Sequence, residues 1–283
     1  MTATDADLSA LSASHDILAL GMQADDVRRR LHGTQTTFVR VADVPAAVGD
    51  PIRVPAAAGE VRIVGVPASR VEALARVTEV KRAAPDIPIS AFALSALEAL
   101  AANEHVTLRA LVEDLRAAGL DLIAEAPYDR LQDPARSIEQ VTNAGLGLAR
   151  LTFSQLPDVV AVSLLQQVAA LQRQVAVLRS FAPLPRRTNP AAPSTGYEDV
   201  KRVALARIIV DNIPSIQVDW SLYGPKLAQV ALTVGADDVD GVSAEDDQSQ
   251  GRRRSPIEEI RRNIRAAGFE SVERNGRFEP IGQ

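Results

Sequence analysis

Cysteine is missing altogether: none of the 283 residues carries a thiol. That excludes disulfides, a thiolate nucleophile and any zinc or iron–sulfur site held by cysteine. Aromatic side chains make up only 4% of the chain, so a core has to be assembled from Ala, Val, Leu and Ile. Lysine occurs only at positions 81, 201 and 226, and arginine supplies the rest of the basic charge, which reads as coding bias. No run approaches the roughly 18 apolar residues of a membrane span. A basic start followed by an apolar h-region is also missing, so no signal peptide is visible and a cytoplasmic location is expected. The net charge of −5 argues against nonspecific binding to nucleic acid or to a membrane surface. The motifs GxxxxGK[ST], GxGxxG, HExxH and GxSxG are absent, which removes the commonest nucleotide, zinc and serine-hydrolase readings.

What is present is an alternation of strands and helices. A hydrophobic share of 46% with 24% charged residues suits a globular chain able to bury a full core. Residues 1–13 are small and polar and are expected to be loose. Ser14–Leu31 carries an imperfect helical stripe, with Ser14 or Asp16 as a cap, and Gly21 is expected to split it into two helices. Thr36–Ala42 and Glu60–Val66 read as strands. Between them, Asp43–Gly59 is too rich in Pro and Gly to hold a helix, so the first β/α unit lacks its helix.

Beyond residue 68 the alternation is regular. Predicted helices run over 69–84, 95–102, 107–118, 134–143, 158–172, 197–212 and 225–234. Predicted strands run over 88–94, 120–126, 146–153, 176–184, 215–221 and 239–244. Eight strands is the number that closes a (β/α)8 barrel. After a polar stretch at 246–254, expected to be mobile, Ser255–Ala267 reads as a last helix started by Ser255, Pro256 and Glu258. The implied division is a helical leader (1–35), a barrel (36–245), and a polar linker with a C-terminal helix packed on the barrel (246–283). No repeat at solenoid spacing emerges.

The run Lys226-Leu-Ala-Gln-Val-Ala-Leu-Thr-Val-Gly235-Ala-Asp-Asp-Val-Asp240-Gly resembles the C-terminal part of the aminofutalosine-synthase branch of radical S-adenosylmethionine (SAM) enzymes, which act in menaquinone biosynthesis. Asp238 and the Asp240-Gly241 pair favour that branch over its deazaflavin and cyclic-futalosine cousins, which usually carry Asn at the second acidic position. A leader ending in R-R-x-L-H-G is similar as well. The resemblance covers nearly the whole chain, strongest from Tyr197 to Glu279 and weakest from Asp43 to Gly59.

It implies a TIM-type (β/α)8-like barrel of radical-SAM type, with a degenerate first β/α unit, an N-terminal helical leader and a C-terminal helix. In the family the interval after the first strand holds a CxxxCxxC loop that ligates a four-iron cluster. Here that interval has no cysteine, and His15, His32 and His105 lie far from it in sequence. The family's Gly-Gly after strand two reads Gly65-Val66 here. Its glycine-rich run after strand four reads Ala124-Glu125-Ala126-Pro127-Tyr128, and its F-H-P motif reads Leu184-Pro185-Arg186-Arg187. Departures coincide with the cofactor-facing loops, which suggests lost chemistry on a kept scaffold. No cofactor is expected: the iron–sulfur cluster is excluded by the missing cysteines, and SAM binding is doubtful.

Reactive groups of a barrel cluster at the C-terminal ends of its strands. The candidates there are Arg40, Glu125, Thr152, Ser154, Arg179, Asp219, Trp220 and Asp240, joined by Arg186 and Arg187 on a Pro-rich loop. Arg179, Arg186 and Arg187 suit bidentate capture of a carboxylate or phosphate, or else form a solvated basic loop. Asp237, Asp238 and Asp240 read as paired carboxylates for proton transfer or metal, or as turn and strand-start acids bonding backbone, and the second reading is favoured. Glu125 with Tyr128 reads as an acid/base pair, or Glu125 alone as a structural acid paired with an arginine. Trp220 is expected to pack at the barrel rim, its indole N–H in need of a partner.

A ligand site of Arg40, Glu125, Ser154, Arg179, Arg186, Arg187, Asp219 and Asp240 is therefore expected, with no metal ligands and no catalytic residue assigned. Three functions follow. The first is a non-catalytic partner or regulator of a cluster-bearing homologue, or a homodimer. The second is a barrel that binds a small carboxylate. The third is a redox-neutral enzyme acting on an aryl carboxylate or nucleoside-like ligand. Loss of the first helix would bare apolar barrel surface, so a dimer contact or the Pro-rich connector is expected to cover it.

Overall fold

The computed structural model describes residues 11, 13–155, 162–187, 196–245 and 256–282. The expectations placed on most of the first 13 residues, the helix start at Asp158, the Pro-rich loop past Arg187, the stretch 246–254 and the Ser255 cap lie outside the described residues.

Strands β1 (Gln35–Pro45), β2 (Glu60–Val64), β3 (Ile89–Ala93), β4 (Leu122–Pro127), β5 (Gly147–Leu148), β6 (Leu151–Phe153), β7 (Ser180–Pro185), β8 (Ser215–Asp219) and β9 (Asp238–Ser243) pair in parallel in chain order. β5 and β6 together make one stave beside β4, and β9 returns to β1, so eight staves close a TIM-type (β/α)8-like barrel. The helices are α1 (Ile17–His32), α2 (Arg70–Ala83), α3 (Leu94–Asn103), α4 (Leu108–Ala117), α5 (Pro134–Asn143), α6 (Val162–Val175), α7 (Gly196–Ile209), α8 (Trp220–Leu232) and α9 (Pro256–Ala266). Buried Val, Leu, Ile and Ala fill the shell between strands and helices, with Tyr128, Phe153 and Phe181 stacked edge-to-face as its aromatic knot.

Local chemistry sets the element ends. Ser69, Thr107, Asp133 and Asp219 each accept a backbone N–H in the first turn of α2, α4, α5 and α8. Within α8, Gly224 turns to φ 76° and Pro225 restarts the helix, so the amphipathic segment expected from Pro225 is preceded by one separate turn. The predicted break at Gly21 does not occur. α1 runs straight through it, because the missing Cβ lets the helix lie close against Val234, whose Cγ1 stands 3.0 Å from where that carbon would be. The fifth predicted strand divides at Ala149-Arg150.

One strand was not expected. β10 (Glu270–Arg274) pairs in parallel with the first half of β1, below the point where β2 begins. Leader and tail both fasten to the barrel base. Buried Arg28 of α1 donates to Ala236 O, Gly33 O, Gln35 O and Thr36 Oγ1, and lies 3.6 Å over the Phe269 ring. Burial lowers the Arg28 pKa to about 10, with Asp237 and Asp25 opposing.

The connector 46–59 holds no helix and folds back onto the barrel. Ala46, Ile52, Val54 and Ala58 pack against the core, and buried Arg76 of α2 holds the segment by Pro45 O at 2.8 Å and Asp50 O at 3.0 Å. Val48, Val64, Val66 and Val71 remain exposed at this rim. Among the described residues, no helix is long and apolar enough to cross a membrane.

Candidate functional site

Strands buried on both faces leave the barrel lumen as a second interior, and here that interior is charged. From β2, Arg62 donates to Glu60 on its own strand at 2.8 Å and to both carboxylate oxygens of Asp240 on β9, at 2.8 and 3.0 Å. Arg150, between β5 and β6 on the opposite side, also pairs with Asp240, and its Nε donates to Ala124 O. Glu60 accepts from Ser90 Oγ of β3 at 2.5 Å. One layer below, Asp238 receives Arg274, Gln217 and Thr37. All of these charged groups are buried, and each is paired with an opposite charge, on its own strand or on another.

Their titration follows. Burial alone would raise the Glu60 carboxyl, but Arg62 and Arg150 beside it, with the Ser90 hydroxyl, hold it at about 2. Asp238, likewise penalised by burial, is held below the usual carboxylate range by Arg274. Burial, with Arg62 and Arg186 close by, pulls Arg150 down to about 9 against Glu60 and Asp219.

At the mouth, Arg186 follows β7 and bridges two strand ends, reaching Asp219 of β8 at 2.6 Å and Glu125 of β4 at 3.2 Å. Burial raises the Asp219 carboxyl, yet Arg186 and the Ser221 hydroxyl hold it at about 2. Ser154 N donates to Asp129 Oδ1 at 2.6 Å, and its carbonyl accepts Arg187 N at 3.0 Å. Gly241, at φ 71°, passes so close to Asp219 and Ser221 that a Cβ would stand 3.0 Å from an oxygen of each. A cavity of about 500 Å³ opens beside this edge, between Asp43, Arg53 and Pro55 on one side and Ser221, Ser243 and Glu245 on the other.

Of the residues singled out from sequence, Glu125, Ser154, Arg186 and Asp219 come together at the mouth, with Asp240 in the layer beneath. Arg187 keeps its backbone there while its side chain is exposed. Two placements are corrected. Arg179 precedes β7, because the strand begins at Ser180, after a turn in which Ala176 takes φ 54°. It therefore lies at the barrel base, donating to Arg277 O. Arg40 is midway along β1 and pairs with Glu273 of β10 at 2.6 Å, also away from the mouth.

The turn reading of the acidic run is corrected as well. Asp237 does accept a backbone N–H, from Ile216 at 2.8 Å, but it also binds Arg207, while Asp238 and Asp240 take buried guanidiniums. Tyr128 is no partner of Glu125; its hydroxyl donates to Gln167 Oε1, and burial raises its pKa. Thr152 is buried with its hydroxyl unpaired, and Trp220 is partly buried against the core. Glu60, Arg62 and Arg150 were missed. The signal was the polar alternation Glu60-x-Arg62 inside an apolar strand, which in a barrel buried on both sides marks a lumen face.

Residues 183–282 match the family model described as the CofH/MqnC C-terminal region. The aminodeoxyfutalosine synthase of Streptomyces coelicolor is 38% identical over 92 residues, 30% of this chain and 24% of that protein. The cyclic dehypoxanthine futalosine synthase of the same organism is 24% identical over 227 residues, 71% of this chain and 57% of that protein. The chain thus spans less than two thirds of the length of these curated relatives. Among solved structures, methylornithine synthase superposes with a TM-score of 0.67 at 14% identity, covering 96% of this chain and 95% of that one, which shows a shared fold.

The four-iron cluster implied by this family is not fitted by the residues present. The connector after β1 offers no sulfur and no imidazole. His32 sits at the barrel base against Pro214 O and Asp237, and His105 lies between α3 and α4. No group of three or more His, Cys, Asp or Glu placed to hold a metal occurs among the described residues. This cysteine-free chain thus shares its C-terminal region, residues 183–282, with the CofH/MqnC model and the fold of its barrel with methylornithine synthase.

Proposed function

We propose that this chain is a cluster-free, non-catalytic relative of the futalosine enzymes that stabilises or regulates a cluster-bearing homologue in the cytoplasm. The observation that carries this reading is the lumen. Arg62, Arg150 and Arg186 spend their charge on Glu60, Asp240, Asp219 and Glu125, so the groups that would orient a substrate are already paired with one another. A repurposed enzyme using Glu125 or Asp240 as base is disfavoured for the same reason, since each carboxylate is held by a guanidinium.

Anaerobic reconstitution of the full chain with ferrous iron and sulfide tests the first half. No bound cluster by absorption and electron paramagnetic resonance, and no deoxyadenosine from SAM, is the expected result. A stable cluster that releases deoxyadenosine overturns it. For the second half, affinity purification from the native cells is expected to recover a cysteine-bearing homologue, and a strictly homomeric protein overturns it.

One observation favours a second reading, a barrel that binds a small carboxylate. The mouth cavity of about 500 Å³ falls within the size of ordinary ligand sites, and the Arg53 guanidinium in its lining offers a carboxylate its counter-charge. Calorimetry with enolpyruvyl-benzoate decides this reading, and the absence of both heat and thermal shift removes it.

A further inference from the structure

The opposite end of the barrel carries a second cavity, of about 480 Å³, at the N-terminal ends of β4, β5 and β7 and closed on one side by the C-terminal tail. Three guanidiniums line it: Arg116 from α4, Arg179 before β7 and Arg277 from the tail. Their partners are mostly neutral. Arg116 Nη1 donates to Ala144 O at 2.8 Å, and Arg179 Nη1 to Arg277 O at 3.1 Å. Arg277 alone meets a carboxylate, Asp121 at 2.6 Å, and that acid also accepts Ile89 N through its other oxygen. The remaining acid of the lining, Glu279, accepts from Asn275 at 2.8 Å.

Carbonyl partners orient a guanidinium without neutralising it, so two of the three keep their full charge facing the cavity. The Arg116 head lies over Gly145, where φ is 79° and a side chain would displace it. Beside the guanidiniums and Thr142, Leu148, Val177 and Phe278 supply an apolar part of the wall. Val177 stays exposed next to them, an apolar surface without a cover.

We infer that the barrel base binds a single-ring aromatic oxyanion, a carboxylate or a phosphoester, with the anion between Arg116 and Arg179 and the ring against Val177 and Phe278. The volume suits a ligand of that size, since sites for small molecules begin near about 300 Å³. Two nearly free guanidiniums supply charge-assisted hydrogen bonds to the oxyanion, and burying a ring against Val177 and Phe278 favours an organic anion over a bare inorganic one. This site is separate from the mouth and does not depend on whether the chain carries out chemistry.

Isothermal titration of the full chain with benzoate, phenyl phosphate and neutral benzamide tests it. Saturable binding of benzoate or phenyl phosphate, and none of benzamide, is expected, and the stronger of the two anions identifies the source. Arg179→Gln and Arg116→Gln are each expected to weaken that binding by about tenfold. Arg109→Gln, on an exposed helix face, is expected to leave it unchanged. A crystal soaked with the tighter anion is expected to show it between Arg116 and Arg179. Absence of saturable binding up to about 10 mM, an equal loss in the Arg109 variant, or density confined to the mouth overturns the proposal. A variant that loses affinity with its thermal midpoint intact has lost the site rather than the fold.

Discussion

Arg274 of the C-terminal strand and Asp238 of β9 form a bidentate pair, 2.7 and 2.6 Å long, with both side chains buried beneath the barrel lumen. The pair joins a segment the barrel does not need for closure to the acidic run that carries the sequence resemblance. Arg274 also stacks 3.8 Å over Phe278, so the tail is held by charge on one side and by an aromatic face on the other.

Removing one member of that pair strands a buried charge. Arg274→Met is expected to lower unfolding stability by about 3–5 kcal/mol in urea titrations, because Asp238 then keeps only Gln217 and Thr37. Adding Asp238→Asn to that variant is expected to recover part of the loss, since the uncompensated carboxylate is gone. Strict additivity of the two substitutions would refute the coupling.

Acid is expected to weaken the protein through the same network. Glu60 and Asp219 are both held at about 2 in the folded chain, below their usual values of 4.5 and 3.8. A carboxylate whose folded pKa is depressed contributes stability above its unfolded pKa and loses it as pH falls through the folded one. Stability from these two groups is therefore complete above about pH 5 and drains away toward about pH 2. Circular-dichroism melts across that window are expected to show a steep fall in midpoint. For the Asp219→Asn variant, which loses its titration but also its ion pair with Arg186, a lower but flatter profile is expected. An unchanged slope in that variant would count against the assignment.

Arg76 has a different task, holding the connector where the first helix is missing. Arg76→Met is expected to free residues 46–59 and make Arg53 a preferred trypsin site, with a global loss of about 1–3 kcal/mol from the orphaned carbonyls of Pro45 and Asp50. Mass spectrometry of timed digests reads the cut. Cleavage elsewhere, with the connector intact, would show that the apolar contacts of Ile52 and Val54 suffice on their own.

Much of the barrel was legible because its determinants are local. Ser69, Thr107 and Pro134 announced their helices, and the connector's Pro and Gly content announced a unit without one. The mouth residues Glu125, Ser154, Arg186 and Asp219 were legible for a similar reason, since strand ends in a closed barrel converge. Arg179 was misplaced by a strand boundary only a few residues in error, enough to carry a side chain from the top of a barrel to its floor. Gly21 misled because a glycine that weakens a lone helix is an asset where that helix lies flush against Val234.

By its own periodicity and wording the chain determined the alternation of strands and helices, the stave number, the resemblance carried by its C-terminal region and the absence of thiolate. Which charges face one another was decided only in three dimensions. Arg62 and Asp240 stand 178 residues apart in the chain and meet, with Glu60 and Arg150, solely because the sheet closes on itself. The pairing of β10 with β1, and the basic cavity that the tail completes at the barrel base, arise in the same way. Contacts between distant segments carry no local signature, since each partner taken alone is an ordinary charged residue whose burial depends on the rest of the fold.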